Sequence, residues 1–182
     1  MHQDIEKVLI HEGIIRKRVE YLAKLFTQDC KDNDVDEITV VILLKGALVF
    51  AADFVRHLDM KISVECINAS SYHGGTKSSG KIEVDHVPDV LNKNILLIDD
   101  ILDTGLTMGW VREKLFEKGA ALIGTCVLLD KQIAEERCDY TGFNIPNEFV
   151  VGYGLDYQGH YRNLPYIGIL KIDGDSVESP SP

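Results

Sequence analysis

The sequence predicts an α/β protein with a mainly parallel central sheet flanked by helices. Short, continuous apolar runs rich in β-branched residues recur along it, as in Thr39-Val-Val-Ile-Leu-Leu44, and such runs read as strands buried on both faces. Between them lie stretches whose apolar residues fall three or four apart, the spacing of helices packed on a sheet. The length of 182 residues, 45% of them hydrophobic, fits one domain spanning 1–182 with a sizeable core.

Glu12 to Cys30 reads as a helix with Ile15, Val19, Leu22 and Phe26 on its inner face. After an acidic connection, Thr39 to Leu44 is a buried strand. Lys45-Gly46 follows it, then a helical pattern through Leu48, Ala52 and Val55 to about Leu58. Ile62 to Ala69 is a second strand. Ser70 to Gly80, rich in Ser and Gly, reads as a long mobile loop. Ile82 and Val84 suit a short exposed strand. Asn94 to Asp99 is a buried strand. A helix starts near Thr104, turns Met108, Val111 and Leu115 inward, and stops at Gly119 as its C′ residue. Ala121 to Leu129, Glu148 to Gly152 and Tyr166 to Leu170 read as three more strands, and residues 175–182 as a frayed tail.

Composition removes several function classes. The net charge is -10. Such a chain is a poor general binder of nucleic acid, which needs clustered Lys and Arg. No signal region opens the sequence and no apolar run approaches a membrane span, so a cytoplasmic protein without a membrane partner is expected. The four cysteines, Cys30, Cys66, Cys126 and Cys138, form no CxxC pair. Cys66 and Cys126 lie in apolar runs and read as small hydrophobes in a reducing compartment. The six histidines show no zinc-ligand spacing, and His73 and His160 are given no role.

In parallel sheets ligands bind beyond the carboxyl ends of the strands. That rule points at Lys45-Gly46, Asp99 to Thr107, Lys131 and Asp156. In the second segment a buried strand ends in two carboxylates, and Asp103-Thr104-Gly105-Leu106-Thr107 leads into a helix. Carboxylates can hold ribose hydroxyls or a magnesium-bound sugar. A Thr-Gly turn at a helix N-terminus gathers N–H groups around a phosphate. An N-capping Asp or Thr would explain the turn alone, but not the whole run on a strand end.

These residues resemble the type I phosphoribosyltransferases, and within them the hypoxanthine-guanine branch. The likeness runs from about Thr39 to Leu170 and centres on Asp99-Asp100-Ile101-Leu102-Asp103-Thr104-Gly105-Leu106-Thr107. Leu44-Lys45-Gly46-Ala47 is similar to the family's pyrophosphate loop, and Ser71-Tyr72 to the start of its mobile closing loop. Leu128-Leu129-Asp130-Lys131 is similar to the strand carrying its purine lysine. Phe149-Val150-Val151-Gly152-Tyr153-Gly154-Leu155-Asp156-Tyr157, followed by Arg162, resembles its purine and pyrophosphate side. Asp99 stands where the family more often has Glu.

The resemblance implies a small hood formed by the chain ends. It also implies that Mg²⁺ is needed, with Asp99, Asp100 and Asp156 as metal residues. Asp99 and Asp100 would hold the ribose hydroxyls. Thr104, Gly105 and Thr107 would bind the 5′-phosphate, within the Asp99–Thr107 segment that also contains Ile101, Leu102 and Leu106. Asp103 would be the general base or acid at the purine N7. Lys45, Gly46 and Arg162 would contact pyrophosphate. Lys131 would donate to the 6-oxygen, Phe149 would stack on the base, Val150 would pair with its edge, and Asp156 would hold a second magnesium ion. The implied substrates are phosphoribosyl pyrophosphate with hypoxanthine or guanine, and the implied assembly is a homodimer or homotetramer.

Rival readings fare worse. Gly75-Thr-Lys-Ser-Ser-Gly80-Lys81 nearly matches a P-loop, but Ile82 takes the magnesium-binding position and a strand follows where a helix is needed. A regulator using the sugar pyrophosphate only as a signal would need a DNA-contacting module, for which there is no room before Glu12. Adenine as acceptor fits poorly with Lys131, a donor suited to a 6-oxo group.

Overall fold

The computed structural model describes residues 2–71 and 82–171. Its elements in order are β1 (Ile5–Ile10), α1 (Glu12–Asp32), β2 (Glu37–Leu44), α2 (Leu48–Val55), β3 (Lys61–Ser71), β4 (Ile82–Val84), β5 (Asn94–Leu102), α3 (Leu106–Glu117), β6 (Leu122–Asp130), β7 (Tyr140–Asn144), β8 (Val150–Val151) and β9 (Ile167–Leu170). The main sheet has the order β4-β3-β2-β5-β6-β7. Its neighbours from β3 to β7 run parallel, and only β4 is antiparallel. The expected α/β architecture is therefore present.

Burial follows the apolar pattern. Val40, Val41, Ile42 and Leu43 of β2, Ile95 to Ile98 of β5 and Cys126 to Leu129 of β6 are buried, so both faces of the sheet are covered. On one face α1 contributes Ile15, Val19, Leu22 and Phe26, and α2 contributes Phe50 and Phe54. On the other, α3 contributes Met108, Val111 and Leu115. Gly119, at φ 81°, closes α3 as its C′ residue.

Several expectations change. The helical pattern through Leu48, Ala52 and Val55 does not mark the buried face of α2, which is Phe50, Ala51 and Phe54; Leu48 and Ala52 are exposed. The helix is apolar nearly all round, so side-chain bulk decides which face turns in, and Phe54 packs on both Phe26 and Phe50. It also stops at Val55, not near Leu58. Cys66 is exposed on β3, not a buried hydrophobe, whereas Cys30 and Cys126 are buried. β1 and β7 are additional strands.

β1, β9 and β8 form a separate antiparallel sheet, with Ile5 opposite Leu170 and Val150 opposite Ile169. Segments from both ends of the chain thus build a small hood with its own core of Ile5, Val151, Leu164 and Leu170. Ser70 and Ser71, read as the start of the loop, are instead the last residues of β3, paired with β4; the rest of that loop, including Tyr72, and the tail 175–182 lie outside the described residues. No helix among the described residues is long and apolar enough to cross a membrane.

Candidate active site

The parallel register sets the site. Leu102 at the end of β5 stands opposite Asp130 at the end of β6, so the residues that follow, Asp103 and Lys131, emerge side by side. Lys131 Nζ lies 2.8 Å from Asp103 Oδ2. Asp99 and Asp100 do not end the strand, as the sequence suggested, but lie within it: β5 continues to Leu102. The parallel pairing with β6 extends through Asp99 and Ile101, and that ladder carries the strand past the change in side-chain chemistry.

The two aspartates are constrained by backbone bonds. Asp99 Oδ1 accepts from Asp100 N–H at 2.9 Å, and Asp100 Oδ1 from Ile101 N–H at 2.9 Å. Burial, and then the neighbouring charge of Asp100, hold the Asp99 carboxyl well above the usual carboxylate range. Burial also raises Asp100, with Arg162 acting in the opposite sense. Adjacent desolvated carboxylates resist ionising together, so a cation at this spot would be welcome.

The turn after β5 is shaped by Gly105. It occupies the left-handed region at φ 82° and forms the N-cap of α3, with no side-chain cap on the helix. Leu106 N–H reaches Thr104 Oγ1 at 3.5 Å, and the N–H groups of Thr107 and Met108 that follow it are left for another acceptor. Leu102 is buried beneath the turn and Ile101 packs against the core, so neither side chain lines a ligand; only their backbone can.

Lys45 and Gly46 leave the end of β2 after a cis Leu44–Lys45 peptide. Gly46 has no room for a side chain, because a Cβ there would collide with the Asp100 carboxylate. Gly154, at φ 105°, is packed against the Gly46 carbonyl in the same way. Arg162 Nη1 donates to the Gly154 carbonyl at 2.6 Å, and its guanidinium pairs with Asp156 at 2.5 Å. Asp156 also accepts from Gly159 N–H at 2.7 Å. The sequence reading missed Gly154 as a positioning residue; two glycines flanking Tyr153 were the available signal. Gly46→Ala is expected to lower folding stability by about 1–3 kcal/mol, the range for overpacking a filled site. Urea unfolding checks this, and an unchanged midpoint would mean that the Asp100 side chain swings aside freely.

Phe149 is partly exposed and meets Tyr157 edge-on at 5.5 Å between ring centroids, while Val150 is buried in β8. The exposed part of Phe149 offers aromatic surface to a flat ring. His160 packs on Tyr161 near the hood rim. Among the described residues no group of three or more His, Cys, Asp or Glu is gathered to hold a metal ion. Asp99 and Asp100 sit together, while Asp156 is held on the Arg162 side. That donor set suits a hard cation bound by one or two carboxylates plus ligand oxygens and water, the usual manner of magnesium.

Residues 4–158 match the phosphoribosyl transferase domain model. A hypoxanthine-guanine phosphoribosyltransferase of Streptococcus pneumoniae is 44% identical over 94% of this chain and 96% of its own. One from Lactococcus lactis subsp. lactis is 42% identical, with 92% of each chain covered. A hypoxanthine phosphoribosyltransferase structure from Staphylococcus aureus has a TM-score of 0.86 and 39% identity, covering 94% of both chains. The Trypanosoma cruzi hypoxanthine phosphoribosyltransferase in complex with the product IMP has a TM-score of 0.86 and 33% identity, covering 94% of this chain and 97% of its own.

Proposed function

We infer, since the chain belongs to the hypoxanthine-guanine branch of the phosphoribosyltransferase family, that it transfers the 5-phosphoribosyl group of phosphoribosyl pyrophosphate to N9 of hypoxanthine or guanine. The products are IMP or GMP and pyrophosphate, a purine salvage reaction. The observation that supports the base specificity best is the Lys131–Asp103 pair, 2.8 Å apart. O6 and N7 lie side by side on one edge of a 6-oxopurine. A cationic donor next to a carboxylate acceptor matches a ring with an oxygen at position 6 and a proton on N7. Adenine would set its amino donor against the Lys131 ammonium.

The C1–pyrophosphate bond breaks as the C1–N9 bond forms, and the base loses its N7 proton to Asp103. As Lys131 turns from Asp103 to the 6-oxygen, the Asp103 carboxylate is released to accept that proton. Thr104, Gly105 and Thr107, with the N–H groups of the turn, bind the 5′-phosphate. Asp99 and Asp100 hold the ribose hydroxyls near the carbon that becomes cationic. Lys45, Gly46 and Arg162 receive the departing pyrophosphate, whose negative charge they offset. Phe149 stacks on the base, and the backbone of Val150 pairs with its edge. Asp99 and Asp100 would hold one Mg²⁺ and Asp156 would help hold a second, and these ions would neutralise pyrophosphate charge and orient the leaving group.

The protein acts as one domain and as a homodimer or homotetramer. Its free cysteines, two of them buried, suit the cytoplasm. The test of the function is pyrophosphate release with each free base in turn. Hypoxanthine or guanine should support it and adenine should not; equal release with adenine would overturn the assignment of the base. Lys131→Met should weaken purine use by about 1.5–3 kcal/mol, the worth of a charged hydrogen bond, and leave phosphoribosyl pyrophosphate binding nearly unchanged. Steady-state kinetics with each substrate varied will decide, and an unmoved purine KM and kcat would remove Lys131 from the site.

A further inference from the structure

Asp130 is the last residue of β6 and only 3% exposed, the only charged residue among the buried polar residues described. Its carboxylate is fully engaged. Oδ1 accepts from Gln132 N–H at 2.6 Å and from Arg137 Nη1 at 3.1 Å, and Arg137 Nη1 also lies 3.2 Å from Oδ2. Arg137 Nη2 donates to the Gln132 carbonyl at 3.1 Å. Gln132 is thus held at both its N–H and its C=O, in the left-handed region at φ 62° that a non-glycine residue seldom adopts. From the other side Lys131 N–H donates to the Leu102 carbonyl at 3.1 Å, and the Asp130 carbonyl accepts from Ile145 N–H at 2.9 Å.

We propose that Asp130 and Arg137 are a positioning pair that fixes the turn carrying Lys131, and so sets the enzyme's grip on the purine 6-oxygen. The proposal rests on the reading of Lys131 as the purine ligand. Lysine ends a flexible four-carbon stem, so where its ammonium lies depends on where its Cα is held. Lys131 has one pinned residue on each side, and its side chain is only 12% exposed. Site groups need placement to roughly 0.5 Å, and a supporting shell provides it. Stability alone explains the pair poorly. A buried ion pair is commonly matched or bettered by apolar residues of similar volume, and is best kept where a unique geometry is required. The Arg137 side chain is 50% exposed, so it is an arm laid over the buried carboxylate and not part of the core.

The experiment compares the parent, Arg137→Met, Lys131→Met and the double variant, with hypoxanthine and phosphoribosyl pyrophosphate each varied. Arg137→Met should raise the purine KM about tenfold, or ~1.4 kcal/mol. The KM for phosphoribosyl pyrophosphate should stay within about twofold. Added to Lys131→Met, Arg137→Met should change the purine KM by less than about twofold, because both act through one ammonium. Arg137→Lys, which keeps one prong of charge, should recover part of the loss. Asp130→Asn combined with Arg137→Met retains the acceptor for Gln132 and leaves no buried charge unpaired. It covers the case in which Arg137→Met fails to fold, and should show the same split. If Lys131→Met raises the purine KM and Arg137→Met does not, the positioning role is overturned alone. The same follows if the two effects simply multiply, or if Arg137→Met raises both KM values equally. If Lys131→Met has no effect, the purine-ligand reading falls and the positioning role falls with it.

Discussion

Asp103→Asn is expected to lower turnover by roughly 10²–10⁴, the span usual for a general acid-base group, or about 3–5 kcal/mol of barrier. Asparagine keeps the shape of the side chain and its reach toward Lys131, but cannot take a proton from N7. The 5′-phosphate subsite should be untouched, since it depends on Gly105 at φ 82° and on the start of α3. Nucleotide affinity should therefore hold while kcat collapses, and IMP titration beside single-turnover kinetics separates the two. Should Asp103→Asn keep kcat within about tenfold of the parent, Asp103 is only a turn residue paired with a lysine. The proton must then leave by another route, with Lys131 or water next in line.

Removal of Mg²⁺ should abolish turnover, and restoring it should bring turnover back, because the departing group is a polyanion and Asp99 and Asp100 already face one another unfavourably. Full activity in excess chelator would sink this part of the reading. The sign of the pH dependence follows from the same pair. The unfolded chain releases these protons near the ordinary value of 3.8, whereas the folded site, chiefly through burial, holds them to higher pH. Between those limits the folded state binds more protons, so metal-free stability declines as pH rises through that window. A divalent cation must displace the retained proton, so its apparent affinity rises with pH over the same window. Melting temperatures taken with and without Mg²⁺ from about pH 4 to 8 should diverge upward. Parallel curves would mean that the cation does not touch Asp99 or Asp100.

The fold was legible where burial is two-sided. The runs in β2, β5 and β6 are apolar without interruption, and an uninterrupted run of that length has few alternatives. β7 was not legible: Tyr140-Thr-Gly-Phe-Asn144 is an edge strand of mixed character, held by pairing with β6 that a linear reading does not contain. β1 escaped for a similar reason, since Glu6 and Lys7 interrupt its apolar residues and its partner lies at the far end of the described chain. The inner face of α2 could not be read either, because a helix apolar on every side carries no periodic signal.

For the site, the segment Asp99 to Thr107 and the positions Lys45, Lys131, Asp156 and Arg162 stood out from strand ends and from the family likeness. Their contacts did not. Asp103 and Lys131 are separated by 28 residues, and only the register of β5 with β6 makes them neighbours. The crowding of Gly46 against Asp100, and of Gly154 against Gly46, is likewise a property of packing; in the sequence these are only glycines in loops.

The hood has a further consequence, for the order in which the molecule is assembled. Val150, which with Phe149 forms the wall proposed for the base, lies in a sheet whose central strand, β9, pairs with β1 from the opposite end of the described chain, Ile5 against Leu170. The main sheet closes far shorter loops: β2 pairs with β3, and β5 with β6, across single crossover segments. Loop-closure entropy grows with the length enclosed, and distant pairings form slowly. During synthesis the floor proposed for the phosphate and ribose can therefore take shape while β9 is still inside the ribosome, whereas the hood sheet must wait for it. A ribosome stalled before Ile167 would carry the floor of the pocket without the complete three-stranded hood.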